Sequence, residues 1–260
     1  MKPEAYHAFT QNLQSNLEND SRVLGLVVVG STARQSHMPD QWSDHDFFVI
    51  VQPGTQQEFR QSLNWLPDSA RIMLSFRETE HGMKVLYDDG HLLEFAIFDE
   101  QEIFLARIND YAVLFDRANI EHSVKQIQQD SKPSQWNEHH EFGMFITNLM
   151  VGAGRYARGE MLSGHVFVKV NALSHLLRLL AHYGDTSNRD SLDNLDAFRR
   201  FERAFPEIGA EINDILLLPP IFAAGMLLDV AERHLKNRIA PYPDKAVRVV
   251  SSLIDSLIPT

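Results

Sequence analysis

Cysteine is absent from the 260 residues, which excludes disulfides and thiolate metal sites and makes cytoplasmic residence the expectation. Long hydrophobic runs are missing too. The stretch from Ile215 to Leu228 is broken by Pro219 and Pro220 and falls short of the ~20 residues a membrane span requires, so no membrane partner is expected. Met1, Lys2 and Pro3 lead into a polar helix without the apolar core of a secretory signal. Basic charge is scarce: 24 Lys and Arg stand against 35 Asp and Glu, a formal net charge of −11. The deficit lies in residues 1–120, with 9 basic against 18 acidic side chains. Such a field repels duplex nucleic acid and attracts divalent metals and cationic small molecules, so nucleic acid is not an expected partner.

What remains is an ordinary globular composition, 44% apolar and 23% charged, with length enough for two modest domains. Apolar positions at Ala5, Tyr6, Phe9, Leu13 and Leu17 predict an amphipathic helix over 4–18. Val23 to Val29 reads as a buried strand ending at Gly30-Ser31, and Asp44 to Val51 as a second strand after a polar loop. Ala70 to Arg77 is a third candidate. Met83 to Tyr87 and His91 to Phe98 flank Asp88-Asp89-Gly90, a hairpin signal, and Ala112 to Phe115 closes the series at Asp116. From Trp136 onward the period changes to that of helices, over 142–150, 166–183, 192–204, 207–217, 220–237 and 244–257, with Pro206, Pro219, Pro241 and Pro243 as punctuation. The expectation is an α+β chain: a mixed sheet with flanking helices over 1–130, then a helical bundle over 131–260.

The residues that point to chemistry are Gly30-Ser31 and, after a 12-residue loop, Asp44-His45-Asp46. Strand alternation puts Asp44 and Asp46 on one face, where two carboxylates repel unless they share a cation such as Mg²⁺. A small-residue turn beside them lets backbone N–H groups and the Ser31 hydroxyl approach a phosphate. The bland alternative for Asp-x-Asp is a solvated strand end. Here the pair opens the apolar run Phe47 to Val51, where two charges have no structural purpose. Glu94, inside the apolar strand 91–98, also needs a reason.

Val27-Val28-Val29-Gly30-Ser31-Thr32-Ala33-Arg34 followed by Ser43-Asp44-His45-Asp46-Phe47 resembles the signature of the nucleotidyltransferase superfamily. Within it the chain is similar to the lincosamide nucleotidyltransferases and, less closely, the aminoglycoside adenylyltransferases, which pair this catalytic domain with a helical substrate-binding one. Leu93-Glu94-Phe95 takes the place of the family's third carboxylate, Val113 to Asp116 resembles its closing strand, and Arg155 to Glu160 resembles the arginine-glycine-glutamate turn of its helical domain. His45 departs from the family's apolar residue between the two acids and should face away from the metal.

The resemblance implies transfer of a nucleoside monophosphate from an NTP, ATP first among them, onto a hydroxyl of a small molecule such as an aminoglycoside or lincosamide antibiotic. Asp44, Asp46 and Glu94 would be both catalytic residues and ligands of Mg²⁺, with Glu94 acting as general base or as a further metal ligand. Gly30, Ser31, Arg34 and Lys169 would contact the nucleotide, and the acceptor would bind between the domains of a monomer or homodimer. Trp42 could stack on a base or an acceptor ring as readily as on a core edge. The His139-His140 pair, His175 and His182 read as packing or surface groups. A protein-AMPylating toxin–antitoxin component, a catalytically silent nucleotide-binding module and a housekeeping enzyme acting on a metabolite are the competing readings.

Overall fold

Alternating apolar residues in the first half of the chain build one six-stranded sheet from β1 (Val23–Val29), β2 (His45–Val51), β3 (Ile72–Arg77), β4 (Gly82–Tyr87), β5 (Leu92–Phe98) and β6 (Tyr111–Asp116). The computed structural model describes residues 3–33, 39–130, 136–193 and 195–258, and the chain divides into two units, Met1–Lys132 and Pro133–Thr260. The strands lie in the order β3-β4-β5-β2-β1-β6. Only the β2–β5 pair is parallel among the described residues; the other neighbours are antiparallel.

Both faces of the central strands β1, β2 and β5 are covered, which is why these read as nearly continuous apolar runs, whereas the edge strand β3 is exposed. On one face Phe9, Leu13 and Leu17 of α1 (Pro3–Glu18) and Phe59 of α2 (Gln56–Gln61) pack on Phe47, Val49, Leu93, Phe95 and Ile97. Phe47 and Phe95 stack with ring centroids 4.9 Å apart, and each fully buried side chain of this size contributes about 1.5–3 kcal/mol. On the other face Ile120, Val124 and Ile127 of α3 (Ile120–Asp130) cover Val27, Ile50, Ala96 and Phe98. Because side chains alternate, Asp46 belongs to the α3 face with Ile50, and Glu94 belongs to it with Ala96 and Phe98.

The second unit is helical: α4 (Glu138–Ala157), α5 (Met161–Val166), a π-helical turn (Phe167–Ala172), α6 (Leu173–Tyr183), α7 (Phe201–Ala204), α8 (Pro206–Leu216), α9 (Pro220–Leu235) and α10 (Asp244–Ser256). Asn137 caps α4 by accepting the His140 N–H at 3.0 Å, and proline opens α8 and α9, where its missing N–H costs nothing. Phe145, Leu149, Leu176, Leu179, Ala223 and Leu227 form the fully buried centre. Gly152 of α4 allows the chain after α5 to come close, since a Cβ there would lie 2.6 Å from Val168 Cγ2.

The fold class is the one the sequence predicts, with two local corrections. The helix expected over 166–183 begins earlier, at Met161, and passes through the π-helical turn. The helix expected over 192–204 is helical only at Phe201–Ala204. Upstream, the nearly inaccessible Asp193 carboxylate accepts the N–H groups of Leu195 and Asp196 and pairs with Arg199 and Arg200. A short acceptor that binds nearby N–H groups competes with the helix for them, and here it wins. No helix among the described residues is long and apolar enough to cross a membrane.

Candidate active site

β1 and β2 are antiparallel, so the end of β1 lies beside the start of β2, where Val28 pairs with Phe47. Gly30 follows in the left-handed region at φ +58 and opens a single 3-10 turn, Gly30–Ala33. Glycine is favoured there by its backbone and by the tight space beside Asp46. The backbone sign penalises any side chain, and a Cβ would sit 3.2 Å from Asp46 Oδ2.

Parallel pairing of β2 with β5 sets Asp46 opposite Glu94, and Asp44 lies one residue before β2. Asp44, Asp46 and Glu94 each present a carboxylate oxygen, all within 4.8 Å of one another, in half-buried positions. Three hard oxygen donors at that spacing, with the Gly30 side left clear, fit a divalent cation such as Mg²⁺.

Beneath the carboxylates lies a buried polar layer. The Tyr6 hydroxyl donates to the Asp44 carbonyl at 2.7 Å and accepts from Thr32 Oγ1, which in turn accepts the Asp46 N–H at 3.3 Å. One phenol thereby ties together the backbone on either side of His45. Burial pushes the Tyr6 hydroxyl up to about 12, against hydrogen bonds to Thr32 and Ser31 that pull the other way, so it stays a neutral donor. His45 is fully buried, stacks on Tyr6 at 3.6 Å, and faces away from the carboxylates toward α1. Its Nε2 meets Thr10 Oγ1 at 3.0 Å and its Nδ1 meets His91 Nε2 at 2.6 Å. Thr10 spends its proton on the Tyr6 carbonyl. In the neutral pair His45 Nε2–H therefore donates to Thr10, and His91 Nε2–H donates to His45. Burial lowers His91 to about 4.

No protein-family model and no curated protein matches the chain. Among solved structures, an aminoglycoside 6-adenyltransferase from Bacillus subtilis is similar at 13% identity and TM-score 0.33, over 95% of this chain and 96% of that one. A STING-associated CdnE c-di-GMP synthase from Capnocytophaga granulosa is similar at 12% and 0.28, over 98% and 78%. The Bradyrhizobium diazoefficiens CD-NTase CdnG in complex with GTP is similar at 13% and 0.29, over 98% and 94%. Likenesses this distant carry no argument about activity, which has to rest on the chain's own residues.

Of the other residues singled out in the sequence, Ser31 is buried with its hydroxyl against Tyr6. Arg34 lies outside the described residues. Lys169 belongs to the helical unit, in the π-helical turn, where its amine donates to the Leu216 carbonyl at 2.7 Å; burial lowers its pKa. There it satisfies a carbonyl left open at the end of α8. Trp42 is 84% exposed and packs on no core edge. His175 is hydrogen-bonded to Glu141, and His182 stacks on Trp136. Arg158 pairs with Glu160 in the turn that ends α4.

Two participants escaped the sequence reading. Thr32 is one, since nothing in its local pattern shows that its hydroxyl links Tyr6 to Asp46. Lys84 is the other: its Nζ lies 2.9 Å from Glu94 Oε1 and 2.9 Å from Glu78 Oε1. A signal for Lys84 existed. Counting outward from the Asp-Asp-Gly turn, Leu86 meets Leu92, Val85 meets Leu93 and Lys84 meets Glu94, so the hairpin register alone places the lysine opposite the acid.

Proposed function

We propose that the chain is a Mg²⁺-dependent nucleotidyltransferase that moves a nucleoside monophosphate, AMP in the first instance, from an NTP to a hydroxyl of a small molecule. The observation that carries this reading is the gathering of Asp44, Asp46 and Glu94 within 4.8 Å beside a Gly30-Ser31 strand end. A cluster of hard anionic donors next to a turn without bulky side chains suits a metal-bound polyphosphate.

Asp44 and Asp46 would hold the divalent cation, with Glu94 the third carboxylate. When bound, the ion would neutralise charge on the phosphates and orient them. The backbone of the Gly30–Ala33 turn would hold the phosphates, and the fixed Tyr6–Thr32–Asp44 linkage keeps the two aspartates from drifting. The acceptor oxygen bonds to the α-phosphorus as its proton leaves, the bond to the β-phosphate oxygen breaks and pyrophosphate departs; Glu94 would either take that proton or serve as a further ligand of the ion. Exposed Trp42, two residues before Asp44, offers a ring for the base or the acceptor. The acidic N-terminal half suits a cationic acceptor, an aminoglycoside or a lincosamide, and with it a role in antibiotic resistance.

The test is pyrophosphate release from Mg²⁺–ATP, then GTP, CTP and UTP, with a panel of aminoglycosides and lincosamides, for wild type and Asp46→Asn. Acceptor-dependent release that falls by about 10³-fold in the variant is the expected result, the scale of several kcal/mol of metal-borne charge stabilisation. Release with no acceptor in the panel, despite NTP binding, would redirect the search to a protein or metabolite hydroxyl. Failure to bind any Mg²⁺–NTP would sink the reading.

A further inference from the structure

Glu94 stands between a carboxylate cluster and a fixed cation. On its β2 side is Asp46, its register partner and part of the triad. On its β4 side is Lys84, whose ammonium contacts Glu94 Oε1 and is held from elsewhere by Glu78, both at 2.9 Å. An ammonium lodged between two carboxylates keeps its charge, because both contacts favour the charged form. Two acids on one ammonium also make it a poor swinging arm: leaving Glu94 would mean turning within its bond to Glu78. A carboxylate with one oxygen held by a fixed ammonium is pinned in orientation and no longer free to turn both oxygens toward a second cation.

We propose that Lys84 is the positioning residue for Glu94. By holding Oε1, it keeps Glu94 out of tight coordination of the divalent ion, leaves the ion to Asp44 and Asp46, and reserves Oε2 for the proton of the acceptor hydroxyl. The inference rests on the nucleotidyltransferase reading and decides between the two roles open to Glu94. The proton passes from acceptor oxygen to Oε2 as the acceptor–phosphorus bond forms and the bond to the leaving pyrophosphate breaks. Lys84 gives up no proton at any point.

Removing Lys84 then has an effect opposite to that of ordinary damage: the divalent ion binds more tightly while the reaction slows. The experiment is a Mn²⁺ titration of the full chain without nucleotide, read by the loss of the free-Mn²⁺ paramagnetic signal. It compares wild type, Lys84→Met, Lys84→Arg, Glu94→Gln and the Lys84→Met/Glu94→Gln double variant. Loss of the unit charge alone also tightens binding, by about threefold in a water-like dielectric and by about tenfold or more in the lower dielectric of a half-buried site, and the Glu94→Gln background separates this from a gained ligand. Release of Glu94 as a third ligand takes Lys84→Met beyond the field effect, and that excess vanishes in the Glu94→Gln background. Lys84→Arg, which keeps the cation, stays within about twofold of wild type by the same screened-field estimate. In turnover assays Lys84→Met lowers kcat and leaves the KM for NTP unchanged, as expected when a group acts only in the transition state. Equal tightening with and without Glu94 would reduce Lys84 to a field effect and overturn the proposal, as would unchanged or weaker Mn²⁺ binding in Lys84→Met. Absence of saturable Mn²⁺ binding in wild type would instead bring down the nucleotidyltransferase reading, and this inference with it.

Discussion

The two units treat buried polar groups differently. In the helical unit, a core built on Phe145, Leu149, Leu176 and Leu227 includes one buried polar side chain among the described residues, Asn148, and Asn148 donates to a carbonyl of its own helix. In the sheet unit Ser31, Thr32, His45 and His91 are all buried; Thr32 links Tyr6 to Asp46, Ser31 bonds to Tyr6, and His45 stacks on it. Burying polar groups without full satisfaction costs stability, and satisfying them restricts geometry. The sheet unit carries that cost where three carboxylates have to be held against mutual repulsion; the helical unit uses its sheltered polar groups, Asp193 and the Glu141–His175 pair, to fix its own backbone and helix packing.

The comparison breaks most sharply in the helical core. Phe145→Ala should lower the unfolding free energy of that unit by about 3–5 kcal/mol, through lost burial and the cavity left behind, while Mn²⁺ binding by the carboxylates is unchanged. Denaturant melts of wild type and variant, with a Mn²⁺ titration of each, check both halves. In the sheet unit Tyr6→Phe keeps the ring on His45 but orphans Thr32 and the Asp44 carbonyl. The expected cost is about 1–3 kcal/mol of stability, with weaker divalent binding as the aspartates loosen. A melt shifted without any change in binding would show that the hydroxyl supports the fold and not the site.

The smallest expected effect is on pH dependence. His91 has a folded pKa of about 4, below its ordinary 6.5. Between those values the unfolded chain binds a proton that the folded one refuses, so stability rises with pH across that window and is lost as pH falls from about 6.5 towards 4. Urea midpoints from pH 7.5 to 4.5 should show this slope in wild type, and a shallower one in His91→Phe. An identical slope in the two proteins would move the origin of acid sensitivity elsewhere.

Much of the sheet unit was legible in local pattern. The Gly30-Ser31 strand end, the continuous apolar run after Asp46 and the Asp-Gly hairpin each carry their geometry in a few adjacent residues. What local pattern does not carry is who meets whom across strands. That β5 inserts next to β2, bringing Glu94 to Asp46, is a matter of sheet order and came only from family resemblance. The contact of Lys84 with Glu94 could have been counted from the hairpin and was not. In the helical unit the error over 192–204 has a different source: apolar spacing suggested a helix, and one buried aspartate redirected the backbone.

The parallel β2–β5 pair also bears on how the chain acquires its site. Asp46 and Glu94 are far apart in sequence, and the hairpin of β4 and β5 can form without β2, whereas the Asp46–Glu94 pairing needs a closed non-local loop. Contacts of that kind bear the entropy of loop closure before they return any energy, and they form slowly. The carboxylate cluster therefore belongs to the late part of refolding: a chain refolding from denaturant regains its hairpin first, and the juxtaposition of Asp46 and Glu94 only when the sheet is whole.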